Sequence, residues 1–288
     1  MGGVSESLAV VSQQELQRYL EIASEAALAA GTVLQTYWGQ LEHIENKGRP
    51  GDLVTEADKA AEAVAIEVLK RHLPDHPILA EESGSLSSQT NSPFLWAIDP
   101  LDGTTNYTHQ YPFSAVSIGL LWNGHPVVGA IFDPFREDLF RAAKGLGATL
   151  NRRPINVSTT DKLADSLLVT GFAYDRHQRR DNNYAEFCHL THLTQGVRRG
   201  GAASLDLAYV ACGRLDGYWE RGLSVWDMAA GVILLEEAGG HVTAYDESAF
   251  DIQSGRLLAT NGRIHTILSQ VLKQVKPLDN FQPIAITE

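Results

Sequence analysis

Residues 96–119, WAIDPLDGTTNYTHQYPFSAVSIG, restrict the fold more than any other segment of this chain. Their apolar beginning predicts a buried strand that ends abruptly at Asp99. Pro100 fixes one backbone angle, and Gly103 permits a close approach of the main chain, so two carboxylates, Asp99 and Asp102, can converge. Hard divalent cations prefer such converging oxygens. The alternative for a D-x-x-D-G pattern is an Asx-rich turn whose side chains cap their own backbone.

The residues that follow predict an anion site beside these carboxylates. Thr104 and Thr105 supply hydroxyl groups. If a helical turn begins there, the free N–H groups of Gly103 and Thr104 point toward a bound anion. The segment therefore predicts a phosphate that lies against metal ions.

Composition limits the class of protein. The 288 residues, 44% of them hydrophobic, can form one large domain or two compact halves. The net charge is −12 and no long basic stripe occurs, so direct binding to nucleic acid is not expected. There is no secretory signal and no run of eighteen apolar residues, so we expect a cytoplasmic protein without a membrane segment. Cys188 and Cys212 stand in apolar helical contexts and are expected to be buried thiols.

The order of predicted elements divides the chain into two halves. In residues 1–157, a capping box at Ser12 starts one long helix, Thr55 with Asp58 starts a second, and consecutive strands follow. These strands are predicted at residues 78–80, 94–98, 116–122, 127–132, 139–142 and 155–157, and residues 44–53 are expected to form a loop. Residues 158–288 alternate strands and helices. We therefore expect an α+β half and an α/β half that pack as one layered body.

Four acidic residues belong with the opening segment. Glu81, Asp99, Asp102 and Asp227 all fall at strand ends or helix starts, where loops from different segments can meet. Together they could bind two or three Mg²⁺ ions, which take octahedral oxygen ligands. Structural alternatives exist, because Asp227 in the first turn of a helix is favoured by the helix dipole, and Glu82 can be a solvated charge.

Four motifs in a fixed order carry a resemblance to a known family. DLVTEAD, AEESG, WAIDPLDGTTN and WDMAAGVILLEEAGG make residues 16–261 resemble the inositol monophosphatase family of magnesium-dependent, lithium-sensitive phosphatases. The resemblance implies a mixed α+β and α/β fold, a layered αβαβα sandwich of the inositol monophosphatase and fructose-1,6-bisphosphatase type. It also implies a homodimer and a small phosphorylated polyol as substrate.

The resemblance further assigns roles to individual residues. The implied ligands of two to three Mg²⁺ ions are Glu81, Asp99, the Leu101 carbonyl, Asp102 and Asp227. The implied catalytic residues are Glu81 and a Thr104–Asp58 pair that orients and helps to deprotonate the attacking water. The implied contacts to the substrate are Asp102, the N–H groups of Gly103 and Thr104, the Gly201-Ala202-Ala203 turn and Glu220. Lys47 resembles the family's loop lysine near the third metal, although a surface lysine is the alternative.

The alcohol-binding region departs from the animal enzymes. Ala202 stands where they carry a threonine, Arg199 precedes the turn, and residues 171–180, GFAYDRHQRR, differ. Four cationic or titratable side chains of that segment could contact a second anionic group, or they could form a solvated loop face: Arg176, His177, Arg179 and Arg180.

The expected reaction is hydrolysis of myo-inositol monophosphate to inositol and phosphate by direct attack of metal-activated water. No covalent phosphoenzyme is expected, because the chain has no phosphoaspartate, P-loop or nucleophile-elbow motif. A related phosphatase acting on histidinol phosphate, fructose 1,6-bisphosphate or a 3′-phosphonucleotide would differ only in residues 171–180 and 201–220. A regulatory binding protein on the same fold is the alternative from another class.

Overall fold

A computed structural model of the chain describes residues 11–49, 51–86 and 92–278. The α-helices of this part are α1 (Gln13–Tyr37), α2 (Glu56–His72), α3 (Thr104–Thr108), α4 (Tyr184–Leu193), α5 (Ala203–Ala211), α6 (Val225–Glu237) and α7 (His265–Gln274). Both predicted capping boxes are present. Ser12 pairs with Glu15 at the start of α1, and Thr55 pairs with Asp58 at the start of α2.

The first large sheet contains strands from residues 78 to 154. They are β3 (Ile78–Ala80), β4 (Gly84–Ser85), β5 (Phe94–Asp102), β6 (Ala115–Trp122), β7 (His125–Asp133), β8 (Asp138–Ala143), β9 (Gly147–Leu150) and β10 (Arg153–Pro154). Their order is β10-β9-β8-β7-β6-β5-β3-β4, and only the β3–β5 pair is parallel.

The second large sheet contains strands from residues 167 to 260. They are β11 (Leu167–Thr170), β12 (Gly196–Arg198), β13 (Gly217–Arg221), β14 (His241–Thr243) and β15 (Arg256–Thr260). Their order is β12-β11-β13-β15-β14, with β11 parallel to both neighbours and β15 antiparallel to both of its own. A separate antiparallel pair is formed by β1 (Ile44–Asn46) and β2 (Leu53–Thr55).

Helices cover both faces of both large sheets. Along β5, Trp96 and Ile98 pack with α1 and α2, whereas Ala97 between them packs with α5 and α6, as the two-residue period of a strand requires. In the second sheet, Tyr218 faces α5 and α6, and Trp219 faces α4 and α7. The two central helices thus lie between the sheets. These five layers confirm the predicted αβαβα sandwich.

The central helix α6 lies very close to the first sheet. A Cβ atom at Gly129 would lie 2.4 Å from the Ala230 carbonyl oxygen, and one at Gly119 would lie 2.6 Å from the Ala229 Cβ atom. No side chain fits at either strand position, so glycine here permits the close helix–sheet contact that fixes the start of α6 beside the end of β5.

Several sequence expectations were wrong. β5 does not end at Asp99 but continues to Asp102 with an irregular register, because the main chain still pairs with β6 there. Residues 155–157 are not a strand, and residues 44–53 are framed by the β1–β2 pair instead of forming only a loop. Cys188 is exposed on α4, and Cys212 is only partly buried.

No helix within the described residues is long and apolar enough to span a membrane. The division of the chain at residue 157 stays a prediction, as does the rigid packing of the two halves.

Candidate active site

The site is built around the irregular end of β5. Asp99 pairs with Ser117 of β6 and is only 2% exposed. One oxygen of its carboxylate accepts a hydrogen bond from the Leu101 N–H group at 3.0 Å. This local bond holds the turn that separates Asp99 from Asp102. The Asx-turn alternative is therefore correct in geometry, and it leaves the second Asp99 oxygen for other partners.

Two further segments bring acids to the same place. β3 runs parallel to β5, and the Glu81 N–H group donates to the Ile98 carbonyl at 3.1 Å, so Glu81 lies beside Asp99. The Ser117 hydroxyl donates to the Trp226 carbonyl at 3.1 Å, which brings Asp227, the next residue, toward Asp99. The predicted meeting of these carboxylates follows from strand and helix placement.

The acids strongly perturb one another. Burial raises the pKa of Asp99 well above its ordinary value, and the charges of Glu81, Asp102 and Asp227 raise it further. Burial and the charges of Asp102 and Glu81 act in the same direction on the pKa of Asp227. Burial also raises the pKa of Asp102 to about 6. A hard cation would relieve this repulsion, and carboxylate oxygens are the ligands that magnesium prefers, so the donor set fits that ion.

The carboxylates are nevertheless engaged by protein donors. Asp102 accepts hydrogen bonds from the Ala203 N–H at 3.1 Å and the Ser204 N–H at 2.7 Å, and Asp227 accepts one from the Ser224 N–H at 2.7 Å. Within residues 11–49, 51–86 and 92–278, no three His, Cys, Asp or Glu side chains are placed so that they could hold a metal ion together. Ion binding would therefore require some of these side chains to turn.

A lysine cation lies on the acidic cluster. The Lys47 Nζ atom is 2.8 Å from Glu81 Oε1 and 2.5 Å from Glu82 Oε1. Burial lowers the pKa of Lys47, but the charges and hydrogen bonds of both glutamates outweigh burial and raise it. Glu82 is not the solvated charge expected as its structural alternative, because its side chain is only 12% exposed and burial raises its pKa to about 7.

Asp58 both caps α2 and contacts Thr104. Its Oδ2 atom accepts hydrogen bonds from the Thr55 N–H at 2.9 Å and the Thr55 hydroxyl at 2.6 Å, which caps α2. Its Oδ1 atom lies 3.1 Å from the Thr104 Oγ1 atom. Burial raises the pKa of Asp58 to about 6. The capping box therefore fixes the carboxylate that faces Thr104.

The Thr104 hydroxyl has two competing acceptors. It lies 3.1 Å from the Leu101 carbonyl oxygen as well as 3.1 Å from Asp58 Oδ1, and a hydroxyl group can donate only one proton at a time. Gly103, which precedes it, adopts a left-handed conformation with φ of 93° at the start of α3. A side chain there would meet the Gly201 carbonyl oxygen at 3.1 Å, so the Gly201–Ala203 turn packs directly on the β5 turn.

Glu220, at the end of β13, is buried beside this turn. Its Oε2 atom accepts a hydrogen bond from the Tyr218 hydroxyl at 2.6 Å. Burial raises the pKa of Glu220 to about 7, although the Tyr218 hydrogen bond and the charge of Arg199 oppose that shift. The Gly201 turn on the other side is held by Asn106, whose amide donates to the Gly200 carbonyl at 3.0 Å. The Ala203 N–H group donates a hydrogen bond to Asp102, and Ala202 is buried.

Asp206 is a buried acid that the sequence analysis did not single out. It is 1% exposed, and its Oδ1 atom has no hydrogen-bond partner. A Cβ atom at Gly200 would lie 2.1 Å from that oxygen, so the carboxyl lies directly under the predicted substrate turn. Burial raises its pKa well above the ordinary value, and the charge of Glu220 raises it further. An aspartate inside the apolar helix ASLDLAYVA was the available signal.

The cationic side chains of residues 171–180 do not form one cluster. The Arg179 Nε atom pairs with Asp175 at 2.8 Å and is largely exposed, and the Arg176 guanidinium donates to the Ala173 carbonyl at 3.3 Å. Asp175 is also paired with Arg221 at 2.9 Å. A contact from this segment to a second anionic group stays a prediction.

The chain is similar to known proteins over almost its whole length. The model of the Inositol monophosphatase family matches residues 15–276. A Synechocystis protein named inositol-1-monophosphatase is 64% identical over 263 residues, which cover 91% of each chain. A Pseudomonas aeruginosa protein named Nus factor SuhB is 41% identical over 266 residues, 91% of this chain and 98% of the relative.

The chain is also similar to a solved structure of an inositol monophosphatase. The inositol monophosphatase from Anabaena (Nostoc) sp. superposes with a TM-score of 0.85 at 64% identity and covers 92% of this chain and 99% of its own. The resemblance inferred from the four motifs is thereby confirmed. This chain belongs to the inositol monophosphatase family.

Proposed function

We propose that this protein is a Mg²⁺-dependent phosphomonoesterase that hydrolyses myo-inositol monophosphate to inositol and phosphate by direct attack of water. The observation that carries the proposal is the convergence of Glu81, Asp99 and Asp227 beside the Thr104–Asp58 pair. The 64% identical relative named inositol-1-monophosphatase supports the choice of substrate.

Two to three Mg²⁺ ions would be held by the acids that repel one another without them. Glu81, Asp99 and the Leu101 carbonyl are proposed for the first ion, and Asp99, Asp102 and Asp227 for the second. The ions would supply charge neutralisation of the phosphate and acidification of water. Lys47 already offers a positive charge to Glu81, so we propose that it lies near the third, weaker metal position at that glutamate.

The proton relay is proposed at Thr104 and Asp58. When the Thr104 hydroxyl donates to Asp58 Oδ1, its lone pairs are free to accept a hydrogen bond from the attacking water. Asp58, with a pKa of about 6, is charged at neutral pH and can hold the Thr104 proton in this direction. We propose that the N–H groups of Gly103 and Thr104 receive the phosphate.

Recognition of the alcohol is proposed for Glu220, Asp102 and the Gly201–Ala203 turn. A carboxylate that faces two vicinal hydroxyl groups makes a strong and geometry-sensitive contact. The Tyr218 hydroxyl fixes the orientation of the Glu220 carboxylate by its 2.6 Å hydrogen bond. Asp102 is proposed both as a metal ligand and as a substrate contact, because it lies at the end of β5 and also accepts hydrogen bonds from the start of α5.

Phosphate release from inositol 1-phosphate by the purified protein tests the proposal. Activity should vanish with a chelator and return with Mg²⁺. Asp99→Asn should lower kcat/KM by more than tenfold, at least about 1.4 kcal/mol of transition-state stabilisation, because that carboxylate would contact two ions. Asp75→Asn, at an exposed position, is the matched control and should keep full activity. Metal-independent hydrolysis, or an Asp99→Asn variant with most of its activity, would contradict the proposal.

A substrate panel separates the related phosphatases. Inositol 1-phosphate should be hydrolysed with a higher kcat/KM than histidinol phosphate, fructose 1,6-bisphosphate or a 3′-phosphonucleotide. A preference for one of the other esters would keep the metal chemistry and change the substrate. Inhibition by lithium stays a prediction, as do a homodimer and a cytoplasmic location.

The second candidate is a regulatory protein that acts through a partner surface. The observation that favours it is the name Nus factor SuhB of the 41% identical relative. The complete set of acids favours catalysis instead. The net charge of −12 does not favour direct contact with nucleic acid.

A further inference from the structure

Residues 171–183 form a strap that crosses the end of β13 beside Glu220. At one end, the Asp175 carboxylate pairs with Arg221, the residue after Glu220, at 2.9 Å. Next to it, Ala173 packs closely on Gly222. A Cβ atom added at Gly222 would lie 2.5 Å from the Ala173 Cβ atom. The strap is therefore fixed on both sides of Tyr174.

The other end of the strap is fixed by a buried amide. The Asn183 Nδ2 atom donates to the Thr170 hydroxyl and to the Gly171 carbonyl, both at 2.7 Å, and its Oδ1 atom accepts from Trp219 Nε1 at 2.6 Å. Asp181 pairs with Arg256. A segment with several such anchors presents its side chains in a defined position.

Tyr174 is the aromatic side chain between the Ala173 and Asp175 anchors of this strap. It is 43% exposed, and its hydroxyl has no hydrogen-bond partner among the residues that the structure covers. Burial of the hydroxyl end raises the pKa of Tyr174, and the charges of Asp52, Glu81, Asp227 and Asp102 raise it further. The phenol thus lies within electrostatic reach of carboxylates from four segments, and it is neutral at physiological pH.

We propose that Tyr174 is a specificity-determining residue, which closes the alcohol side of the acidic cleft and packs its ring against a cyclic polyol. This inference rests on the proposed function. A phenol combines an apolar ring face with a polar tip. Its ring face suits the axial C–H groups of a six-membered polyol ring, and its free hydroxyl can donate to a substrate oxygen. An acyclic alcohol offers no such face.

The test compares one cyclic and one acyclic ester, inositol 1-phosphate and glycerol 2-phosphate. Tyr174→Ala should raise KM for the inositol ester about tenfold and leave KM for the glycerol ester within about twofold. Tyr174→Phe keeps the ring and loses one hydrogen bond, so KM for the inositol ester should rise about threefold. In both variants kcat should stay within about twofold, because the contact is made equally in the ground state and the transition state.

Tyr111→Ala is the matched control, since this tyrosine is 58% exposed and lies outside the strap. It should leave both KM values unchanged. Equal rises in KM for both esters, or an unchanged ratio in Tyr174→Ala and Tyr174→Phe, would overturn the role of Tyr174 while the phosphatase assignment stands. A wild-type protein that hydrolyses neither ester would overturn the proposed function, and this inference with it.

Discussion

At the scale of single residues, one missing side chain sets the position of the proposed polyol contact. Gly171 follows β11, and a Cβ atom there would lie 2.1 Å from Glu220 Oε2 and 2.2 Å from Glu220 Oε1. Its backbone conformation is open to any residue, and the nearest obstacle to a side chain is the carboxylate itself. The space at Gly171 is what permits Glu220 to remain bonded to Tyr218.

We therefore expect Gly171→Ala to act through Glu220. The added methyl group must push the carboxylate from its place, so KM for inositol 1-phosphate should rise to about the level of Glu220→Gln, roughly tenfold, with little change in kcat. A double-mutant cycle measures the link. The two changes should be far from additive, with a coupling of about 1 kcal/mol, because both remove the same contact.

Gly196→Ala on β12 is the control for this cycle. A Cβ atom there would meet the end of the flexible Arg198 side chain at 3.1 Å and make an ordinary contact with Leu167 Cδ1 at 3.8 Å. It should leave KM unchanged. Full additivity of Gly171→Ala and Glu220→Gln would show that the methyl group disturbs something other than the carboxylate.

The same scale shows which site residues a sequence can supply. Glu81, Asp99 and Asp227 stand in local motifs, and each motif fixes its residue at a strand end or helix start. Tyr174 has no such local signal, and Asp206 is marked only as an aspartate inside an apolar helix, because the groups that surround both residues come from distant segments of the chain. The charges of Glu220 and Asp102 act on Asp206, and Arg221 fixes the strap of Tyr174. Contacts across long sequence separations depend on the tertiary packing, which periodicity does not encode.

At the scale of elements, the start of α7 is fixed to the second sheet by one buried histidine. His265 is 3% exposed and lies between two threonine hydroxyls, Thr243 of β14 at 2.8 Å from Nε2 and Thr260 of β15 at 2.9 Å from Nδ1. Thr243 also donates to the Ala244 carbonyl, so it must accept from the Nε2–H group of the ring. The neutral ring satisfies both contacts. Burial, with the charge of His241, lowers the pKa of His265 to about 4.

This pKa predicts a loss of stability in mild acid. Well above pH 6.5 the ring is neutral in the folded and unfolded states, so it does not change the free energy of unfolding. As the pH falls, the unfolded chain binds a proton that the folded protein does not bind, so the free energy of unfolding should fall by about 2 kcal/mol between pH 7 and pH 5. His265→Gln, which does not titrate, should remove that part of the slope. Urea denaturation at pH 7, 6 and 5 measures it.

The exposed His109 provides the comparison. His109→Gln should keep the pH slope of the wild-type protein. An unchanged slope in His265→Gln would mean that other groups cause the acid sensitivity. The strand β14, next to which this histidine lies, was missed in the sequence, because its three residues, HVT, show too little apolar character and alternation to be distinguished from a loop. Long elements with capping boxes or hairpin turns were predicted correctly.

At the scale of the whole molecule, the acidic cluster joins separate layers. Asp99 and Asp102 come from β5 of the first sheet, Asp227 from the central helix α6, and Asp102 bonds to the start of α5. Their mutual repulsion is a local cost that the surrounding core must outweigh. Ions bound at this position would remove the repulsion and tie β5 to a helix that packs on both sheets.

Magnesium should therefore stabilise the entire fold. A ligand at 100 times its Kd that binds only the native state adds about 2.7 kcal/mol, which raises the Tm of a protein of this size by roughly 5–10 °C. Thermal denaturation in chelator and in Mg²⁺ measures the shift. Mg²⁺ should raise the Tm of Asp99→Asn by less than about 2 °C, whereas it should raise the Tm of Asp75→Asn as much as that of the wild type. Asp99→Asn should also melt higher than the wild type in chelator, because it removes one buried, repelled carboxylate. An equal Mg²⁺ shift in Asp99→Asn and wild type would place the ions elsewhere on the molecule.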